Sequence, residues 1–443
     1  MDFNALSLVM KNAGVAGAGG AGFPSYAKLN KAADTIILNC AECEPLLKLH
    51  RQVLEFHAEA ILDALKTIAE AVEATRVIIA VKPHYKEAVA AVNKLLPQYP
   101  NTEIGLLPEI YPSGDEVVTI YETTGRVVPP GKIPISVGVT VFNVETAFNV
   151  ARAIKENAPV TYKYITICGE VAHPATFKAP LGITYGELID LAGGATVEDP
   201  VLIAGGPMTG NITQRSDVVT KTSNAILVMP KHQYIVEKRM TPLTISMKRA
   251  MSVCCNCRMC TDLCSRHLLG HPIEPQRFMQ VATSGVVNDT KPYLNTMFCS
   301  ACGLCEMYSC GQGLNPRSMI VATKGMLRKN GIKIPGDVEM KEVSPTRKFR
   351  LVPVDRLTAR LGLTKYDLPA PLDEKLVETG KVKIKLSQSI GAPAVACVKA
   401  GDTVKAGDTV GTPTENALSL PVHASIDGVV TEVTDKFVVI EAK

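Results

Sequence analysis

Nine of the thirteen cysteines in this 443-residue chain fall in one stretch, at Cys254, Cys255, Cys257, Cys260, Cys264, Cys299, Cys302, Cys305 and Cys310. They form two runs, Cys254-x2-Cys257-x2-Cys260-x3-Cys264 and Cys299-x2-Cys302-x2-Cys305-x4-Cys310. The first has the spacing that serves a [4Fe–4S] cubane, and the second is one residue longer before its last cysteine. Two-residue gaps let a tight loop turn three thiolates inward, while the fourth commonly comes from elsewhere. That leaves open whether Cys264 and Cys310 serve their own runs or exchange. Ser265 and Gly311, not proline, follow the last cysteines, and Cys255 is a spare that could replace Cys254. Zinc sites also use C-x2-C pairs, but zinc ribbons part their pairs with a long spacer, whereas three ligands crowd into seven residues here, twice. Two [4Fe–4S] clusters are therefore expected, on Cys254, Cys257, Cys260, Cys264, Cys299, Cys302, Cys305 and Cys310. Between Thr241 and Lys329, ten Lys or Arg face four Asp or Glu, a balance suited to anionic clusters. An odd cysteine count behind an N-terminus (Met1-Asp2-Phe3-Asn4) without a secretory pattern argues against a disulfide framework.

Near the N-terminus, Gly17-x-Gly19-x-x-Gly22 matches a dinucleotide fingerprint in letters only. That fingerprint needs a strand before it, and Phe3, Leu6, Val9, Met10 and Ala13 recur at helical spacing instead. What remains is local: glycines admit backbone N–H groups close to a phosphate or a flat ring, with Lys28 at hand for charge. Downstream, Thr35–Cys40 reads as a strand, residues 53–75 as a helix, Val77–Val81 as a strand and Lys86–Leu96 as a helix. This alternation predicts an α/β domain with a parallel sheet whose ligand site lies at the strand ends. A net charge of +4 is too small to call for nucleic acid, and no run of 18 apolar residues predicts a membrane span.

Four motifs now stand in order: Gly17 to Lys28, Asn39-Cys-Ala-Glu42-Cys-Glu44-Pro45, Tyr111-Pro-Ser-Gly114-Asp115-Glu116 and Phe142-Asn143-Val-Glu145-Thr146. Together they resemble the flavin-binding subunit of respiratory complex I and the C subunit of Rnf-type electron-transport complexes. The resemblance implies a non-covalent FMN reduced by NADH. Gly17, Gly19, Gly20, Gly22 and Lys28 would cradle the FMN, and Asn39, Glu42, Tyr111, Gly114, Glu116, Asn143 and Thr146 would complete the pocket, with Glu44 towards the nicotinamide nucleotide. Ala18 and Ala41 depart from complex I, which has arginine and aspartate there. Cys40 and Cys43 are expected beside the cofactor, and Cys168 and Cys397 to be inert.

About three folding units follow from length, and the resemblance refines them to a multidomain α/β chain. Its parts are a Rossmann-like FMN/NADH domain (1–160), a β-grasp (SLBB) domain (161–240), a ferredoxin-like two-cluster helical domain (241–335), a linker or helical segment (336–381) and a barrel-sandwich hybrid of RnfC N-terminal type (382–443). The tandem Lys399-Ala-Gly-Asp-Thr-Val404 and Lys405-Ala-Gly-Asp-Thr-Val410 suggests that hybrid, and its hairpin Thr414–Pro421 has no lysine for a swinging arm. With the hybrid last, the domain order is similar to that of cobalamin reductases of propanediol-utilisation microcompartments. That resemblance implies an oxidoreductase moving electrons from NADH through FMN and both clusters to cobalamin. It also implies a cobalamin adenosyltransferase as partner, possible contact with a shell protein, and a cytoplasmic place inside a bacterial microcompartment. An Rnf-type peripheral electron-transport component and a non-catalytic iron–sulfur scaffold are the competing readings.

Overall fold

The structure, a computed structural model, describes residues 1–286, 288–336 and 338–443. The N-terminal unit has strands β1 (Thr35–Cys40), β2 (Arg76–Val81), β3 (Thr102–Leu106), β4 (Ile110–Tyr111) and β5 (Val139–Asn143). All but β4 form one parallel sheet in the order β3-β2-β1-β5. Its helices are α1 (Phe3–Asn12), α2 (Leu49–Phe56), α3 (Ala58–Val72), α4 (Lys86–Leu95), α5 (Glu116–Thr124) and α6 (Val144–Glu156). Alternate side chains of β1 enter different cores: Ile36 and Leu38 meet α1, α3 and α6, while Ile37 meets Val117, Val118 and Ile120 of α5. Helices thus cover both faces, which is why β1 reads as an unbroken apolar run.

Residues 53–75, expected as one helix, are two. The chain breaks at His57, whose ring stacks 4.0 Å from Phe148 and whose Nε2 lies 3.0 Å from both Tyr164 Oη and Glu374 Oε1. Partners far away in sequence override the local helical preference.

The second unit carries β6 (Tyr162–Gly169), β7 (Ala175–Pro180), α7 (Tyr185–Leu191), β8 (Val201–Ala204), β9 (Asn211–Thr213) and β10 (Ala225–Met229). A capping box, Thr184 with Glu187, starts α7. The cysteine region is helical: α8 (Tyr234–Met240), α9 (Leu243–Val253), α10 (Met259–Asp262), α11 (Ser265–Leu268), α12 (Pro275–Ser284), α13 (Lys291–Asn295), α14 (Leu304–Met307) and α15 (Pro316–Lys329). Its core gathers Ala250, Phe278, Met279, Leu314, Met319 and Ile320.

The 336–381 segment is more than the linker expected. Strand β11 (Val352–Pro353) pairs antiparallel with β4, helix α16 (Val354–Arg360) follows, and β12 (Leu372–Leu376) lies parallel to β7. It thereby joins the six-stranded sheet β12-β7-β6-β10-β8-β9. Short strands whose partners lie hundreds of residues away leave no local signal. The C-terminal unit has β13 (Lys381–Lys385), β14 (Val395–Ala396), β15 (Thr403–Val404), β16 (Thr409–Thr412), β17 (Val422–His423), β18 (Gly428–Val433) and β19 (Phe437–Glu441), in sheets β13-β19-β18-β15 and β14-β16-β17. The tandem motif makes one turn twice: the Asp402 carboxylate accepts from Lys399 N at 2.7 Å, and Asp408 from Lys405 N at 2.8 Å. Among the described residues no helix is long and apolar enough to cross a membrane.

Candidate functional site

Strands β1 and β5 are neighbours whose connections leave in opposite directions, and their ends, Asn39 and Asn143, stand side by side in register. A crevice at such a point is where open α/β sheets take ligands. Here it is a cavity of about 480 Å³, lined by Gly17, Gly19, Gly20, Gly22, Lys28, Asn39, Gly114, Glu116, Asn143 and Thr146. Unlike the dinucleotide fingerprint, the glycine loop arrives from α1 and ends before β1. Two of its glycines are sterically required. A Cβ on Gly19 would come 2.4 Å from Asn143 Nδ2, and Gly22 holds φ +74° with Thr222 in the way. Gly17 and Gly20 have room for a side chain, so their value is open backbone at the cavity wall.

The polar groups are oriented from behind. Asn39 donates to Gly114 O (3.0 Å) and accepts from Ala41 N (3.1 Å). Asn143 caps α6 through Glu145 N and donates Nδ2 to His50 Nε2 (3.1 Å), which burial keeps neutral. Thr146 Oγ1 accepts from Ala18 N (2.9 Å) and fixes the glycine loop. Lys28 donates to Val141 O at 2.9 Å, its one acceptor among the described residues. Burial pulls its pKa down against the pull of Glu116, which lines the same cavity.

A second cavity of about 340 Å³ adjoins the first, sharing Gly19, Asn39, Gly114 and Asn143, and reaches Ser300 and Cys302. Glu42, Glu44 and Tyr111 line this one and not the larger. Glu42, at φ +33°, accepts from His50 N (2.8 Å) and so anchors the start of α2. Glu44 turns to the β-grasp unit, accepting from Met208 N (2.8 Å), Thr209 N (3.0 Å) and Thr209 Oγ1 (2.6 Å); burial raises its pKa against those bonds. Tyr111, wholly enclosed, donates its hydroxyl to Cys302 O. Cys43 lines the same cavity, whereas Cys40 lies in the core.

The two cysteine loops share one backbone. Asn256 and Arg258 have φ +53° and +65°, and Ala301 and Gly303 have φ +59° and +83°. That register matches Cys254, Cys257 and Cys260 with Cys299, Cys302 and Cys305, and leaves Cys255 opposite Ser300, exposed. Cys310, with Cys257 and Cys254, lies near Cys260, while Cys264 and Cys299 lie near Cys302. Among the described residues no three His, Cys, Asp or Glu side chains close around one metal ion; a cubane, with an iron behind each sulfur, spaces its thiolates more widely. Other features suit clusters. Ala301 N donates to Cys299 Sγ (3.3 Å) and Leu314 N to Cys310 Sγ (3.4 Å), while Lys324 and Arg317 bind the carbonyls of Cys299 and Ala301. Burial pushes the thiols of Cys260 and Cys264 up to about 12 and about 11, so metal must supply the charge that makes them thiolates.

Sequence reasoning missed three features. Ser25 lines the larger cavity wholly buried, and its Oγ meets no partner among the described residues; its place after Gly22-Phe23-Pro24 was the available signal. Arg266 clasps Asp115 through two bonds of 2.9 and 2.7 Å, tying the cluster region to the cap of α5; burial opposes the guanidinium charge, and the carboxylate outweighs it. The left-handed positions Arg258 and Ala301 carry no glycine or asparagine to betray them.

Residues 10–152 match the Nuo51 FMN-binding domain, 164–211 the SLBB domain, 253–315 a 4Fe-4S dicluster domain, and 372–443 the RnfC barrel sandwich hybrid domain. The C component of a Na+-translocating ferredoxin:NAD+ oxidoreductase complex from Acetobacterium woodii is 33% identical over 274 residues, covering 60% of this chain and 59% of that protein. An NAD+-reducing [NiFe]-hydrogenase in its H2-reduced state shares the fold at a TM-score of 0.51 and 20% identity, over 76% of this chain and 64% of that one. The cobalamin reductases PduS of Citrobacter freundii and Salmonella typhimurium LT2 are each 40% identical over 432 residues, spanning 97% of this chain and 95% of theirs. A multidomain α/β chain with an FMN-binding domain, an SLBB domain, a 4Fe-4S dicluster domain and a terminal barrel-sandwich hybrid, alike to PduS from end to end, belongs to the PduS cobalamin reductase family.

Proposed function

We propose that this chain is an NADH-dependent oxidoreductase that delivers single electrons to cobalamin. The observation that carries the reading is the shared wall: the cavity at the ends of β1 and β5 continues into one closed by Ser300 and Cys302 of a cysteine loop. A flavin held by the first cavity would thus border a cluster held by the second loop. Held there by the glycine loop and Lys28, FMN would supply the exchange between the two-electron chemistry of NADH and the one-electron chemistry of two [4Fe–4S] clusters held by the cysteine loops, with cobalt as the final acceptor.

The chain's own residues do the holding. Gly17, Gly19, Gly20 and Gly22 open backbone to the flavin, Lys28 and Ser25 offer donors to its phosphate or ribityl oxygens, and Asn39, Gly114, Glu116, Asn143 and Thr146 set its edge. Glu42, Glu44 and Tyr111 hold the walls: Glu42 ties α2, Glu44 brings in the β-grasp loop, and Tyr111 grips the Cys302 loop. Cys254, Cys257, Cys260 and Cys310 would ligate one cluster, and Cys299, Cys302, Cys305 and Cys264 the other. Domain limits at 160, 240, 335 and 381 go with this assignment. A cobalamin adenosyltransferase is the partner that would consume reduced cobalamin, inside a microcompartment whose shell the chain could touch.

Anaerobic purification followed by stopped-flow mixing with NADH tests the reading. Flavin absorbance should bleach first, and EPR signals of reduced clusters should follow, with cobalamin reduced in turn. Clusters that stay oxidised while the flavin bleaches would sink the proposed route.

A further inference from the structure

The two thiol groups have opposite surroundings. Cys302 packs with Leu46, Leu47 and Tyr111, beside the cavity wall, and Cys305 is buried. Cys254 and Cys310 pack instead on the helical core with Ala250 and Phe278, which Cys299 alone of the other group also touches, and Cys257 is open to solvent. One group therefore faces the flavin side and the other faces out. Helix α9 leads straight into Cys254. It buries Ser246 and Ala250 and turns Ile245, Lys248, Arg249 and Met251 outward, Met251 being 63% exposed. The loop beyond adds exposed Arg258 and Met259. From Thr241 to Asp262 there are three cations and one acid, Asp262, which lies 3.6 Å from Arg258 and leaves Lys248 and Arg249 as the excess charge. Exposed apolar side chains clustered around a redox terminus mark a contact surface, and one-sided charge specifies who makes it.

We infer that this face, helix α9 with the Cys254–Met259 loop, is the electron exit, and that it docks an acidic, apolar-centred face on the protein that presents cobalamin. The inference rests on the reading that a partner protein, a cobalamin adenosyltransferase, holds the acceptor. One-electron transfer needs close approach, and only the outward group offers thiol positions at the surface. Lys248 and Arg249 steer the acidic partner, while Met251, Met259 and Ile245 supply the dry centre of a small, transient interface of the kind electron carriers use.

The test uses the full chain loaded with FMN and iron, with the adenosyltransferase as binding probe and free hydroxocobalamin as small acceptor. Surface plasmon resonance should detect a complex that weakens as salt rises from about 50 to 300 mM. Lys248→Glu/Arg249→Glu, and separately Met251→Asp, should each weaken it about tenfold or more. Reduction of adenosyltransferase-held cobalamin should fall in step, whereas iron content, flavin content and reduction of free hydroxocobalamin should match wild type. Lys399→Glu, an exposed cation on the C-terminal unit, should change nothing. Unaltered binding in the charge-reversed chain overturns the face alone. A wild-type chain that reduces free hydroxocobalamin yet neither binds the adenosyltransferase nor reduces its cobalamin overturns the partner reading and the inference with it. Self-association or binding to anionic vesicles, abolished by the same substitutions without any adenosyltransferase binding, also overturns it.

Discussion

Lys28 and Ser25 each carry hydrogen-bonding capacity that the protein itself leaves unused. Among the described residues Lys28 Nζ has a single carbonyl acceptor and Ser25 Oγ has none, although Lys28 is half-buried and Ser25 wholly buried. A buried polar group without a partner costs about 1–3 kcal/mol, and a ligand that answers it recovers that cost as affinity. Lys28→Met should therefore weaken FMN binding at least tenfold, about 1.5–3 kcal/mol for a charge-assisted bond. Ser25→Ala should weaken it by about 1 kcal/mol, the worth of a neutral bond. Flavin fluorescence quenching measures both. Thermal melts of the flavin-stripped chain should show Ser25→Ala no less stable than wild type, because it loses an unanswered hydroxyl, and Lys28→Met little changed, because its one bond to Val141 O is offset by the cost of burying its ammonium; a strongly destabilised stripped variant would mean that the side chain is structural. At this scale the sequence exposed types better than directions. Glycines, Asn39 and Asn143 stood out by motif, but that Glu44 is spent on Met208 and Thr209 depends on a loop 164 residues away, which no local pattern encodes.

Between elements, the proposed ligand sets exchange the last members of the two cysteine runs. Cys310 stands with Cys254, Cys257 and Cys260, and Cys264 with Cys299 and Cys302. Iron counts separate this arrangement from self-contained runs. In a chain stripped of its first cluster by Cys254→Ala/Cys257→Ala, about four irons should remain. Adding Cys310→Ala should leave that number unchanged, and adding Cys264→Ala should lower it; the reverse pattern would mean that each run closes on itself. The strap from 336 to 381 supports the same region from behind, since β11 pairs Val352 with Tyr111, the residue whose hydroxyl grips the Cys302 loop. It is clasped by Arg347, nearly buried, which pairs with Glu122 and lies over the Tyr121 ring at 4.7 Å. Arg347→Ala leaves Glu122 half-desolvated and unpaired, and should cost about 2–3 kcal/mol in urea unfolding. Glu122→Gln in the same background should recover part of that loss. Strands β1 and β2 were legible because a doubly covered sheet demands apolar runs. The break at His57 and the strap were not, because their causes, Tyr164, Glu374 and β4, lie far off in sequence.

Across the whole molecule, three units converge on one buried ammonium. Lys221, from the β-grasp unit, donates Nζ to Gly14 O (2.8 Å) at the head of the glycine loop and to Pro421 O (3.0 Å) before β17. Its neighbours are neutral: Gln388 takes its backbone N–H, and burial together with the Lys221 charge pushes His423 down to about 3. Among the described residues no carboxylate answers Lys221, and burial lowers its pKa from 10.5 to about 7. The direction of the pH dependence follows. Below about pH 7 folded and unfolded chains both carry the proton, and the folded one bears the whole cost of the buried charge. Between there and 10.5 the folded chain sheds the proton while the unfolded chain keeps it, so stability rises with pH. Lys221→Met removes this dependence together with two hydrogen bonds. The unfolding free energy of wild type relative to the variant should climb by about 1–3 kcal/mol between about pH 6.5 and 9.5, less than the full pKa shift because two carbonyls favour the charged form. Urea midpoints measured in parallel at several pH values give that difference. If it stays flat, the ammonium keeps its proton throughout, and the carbonyls of Gly14 and Pro421 compensate its burial completely.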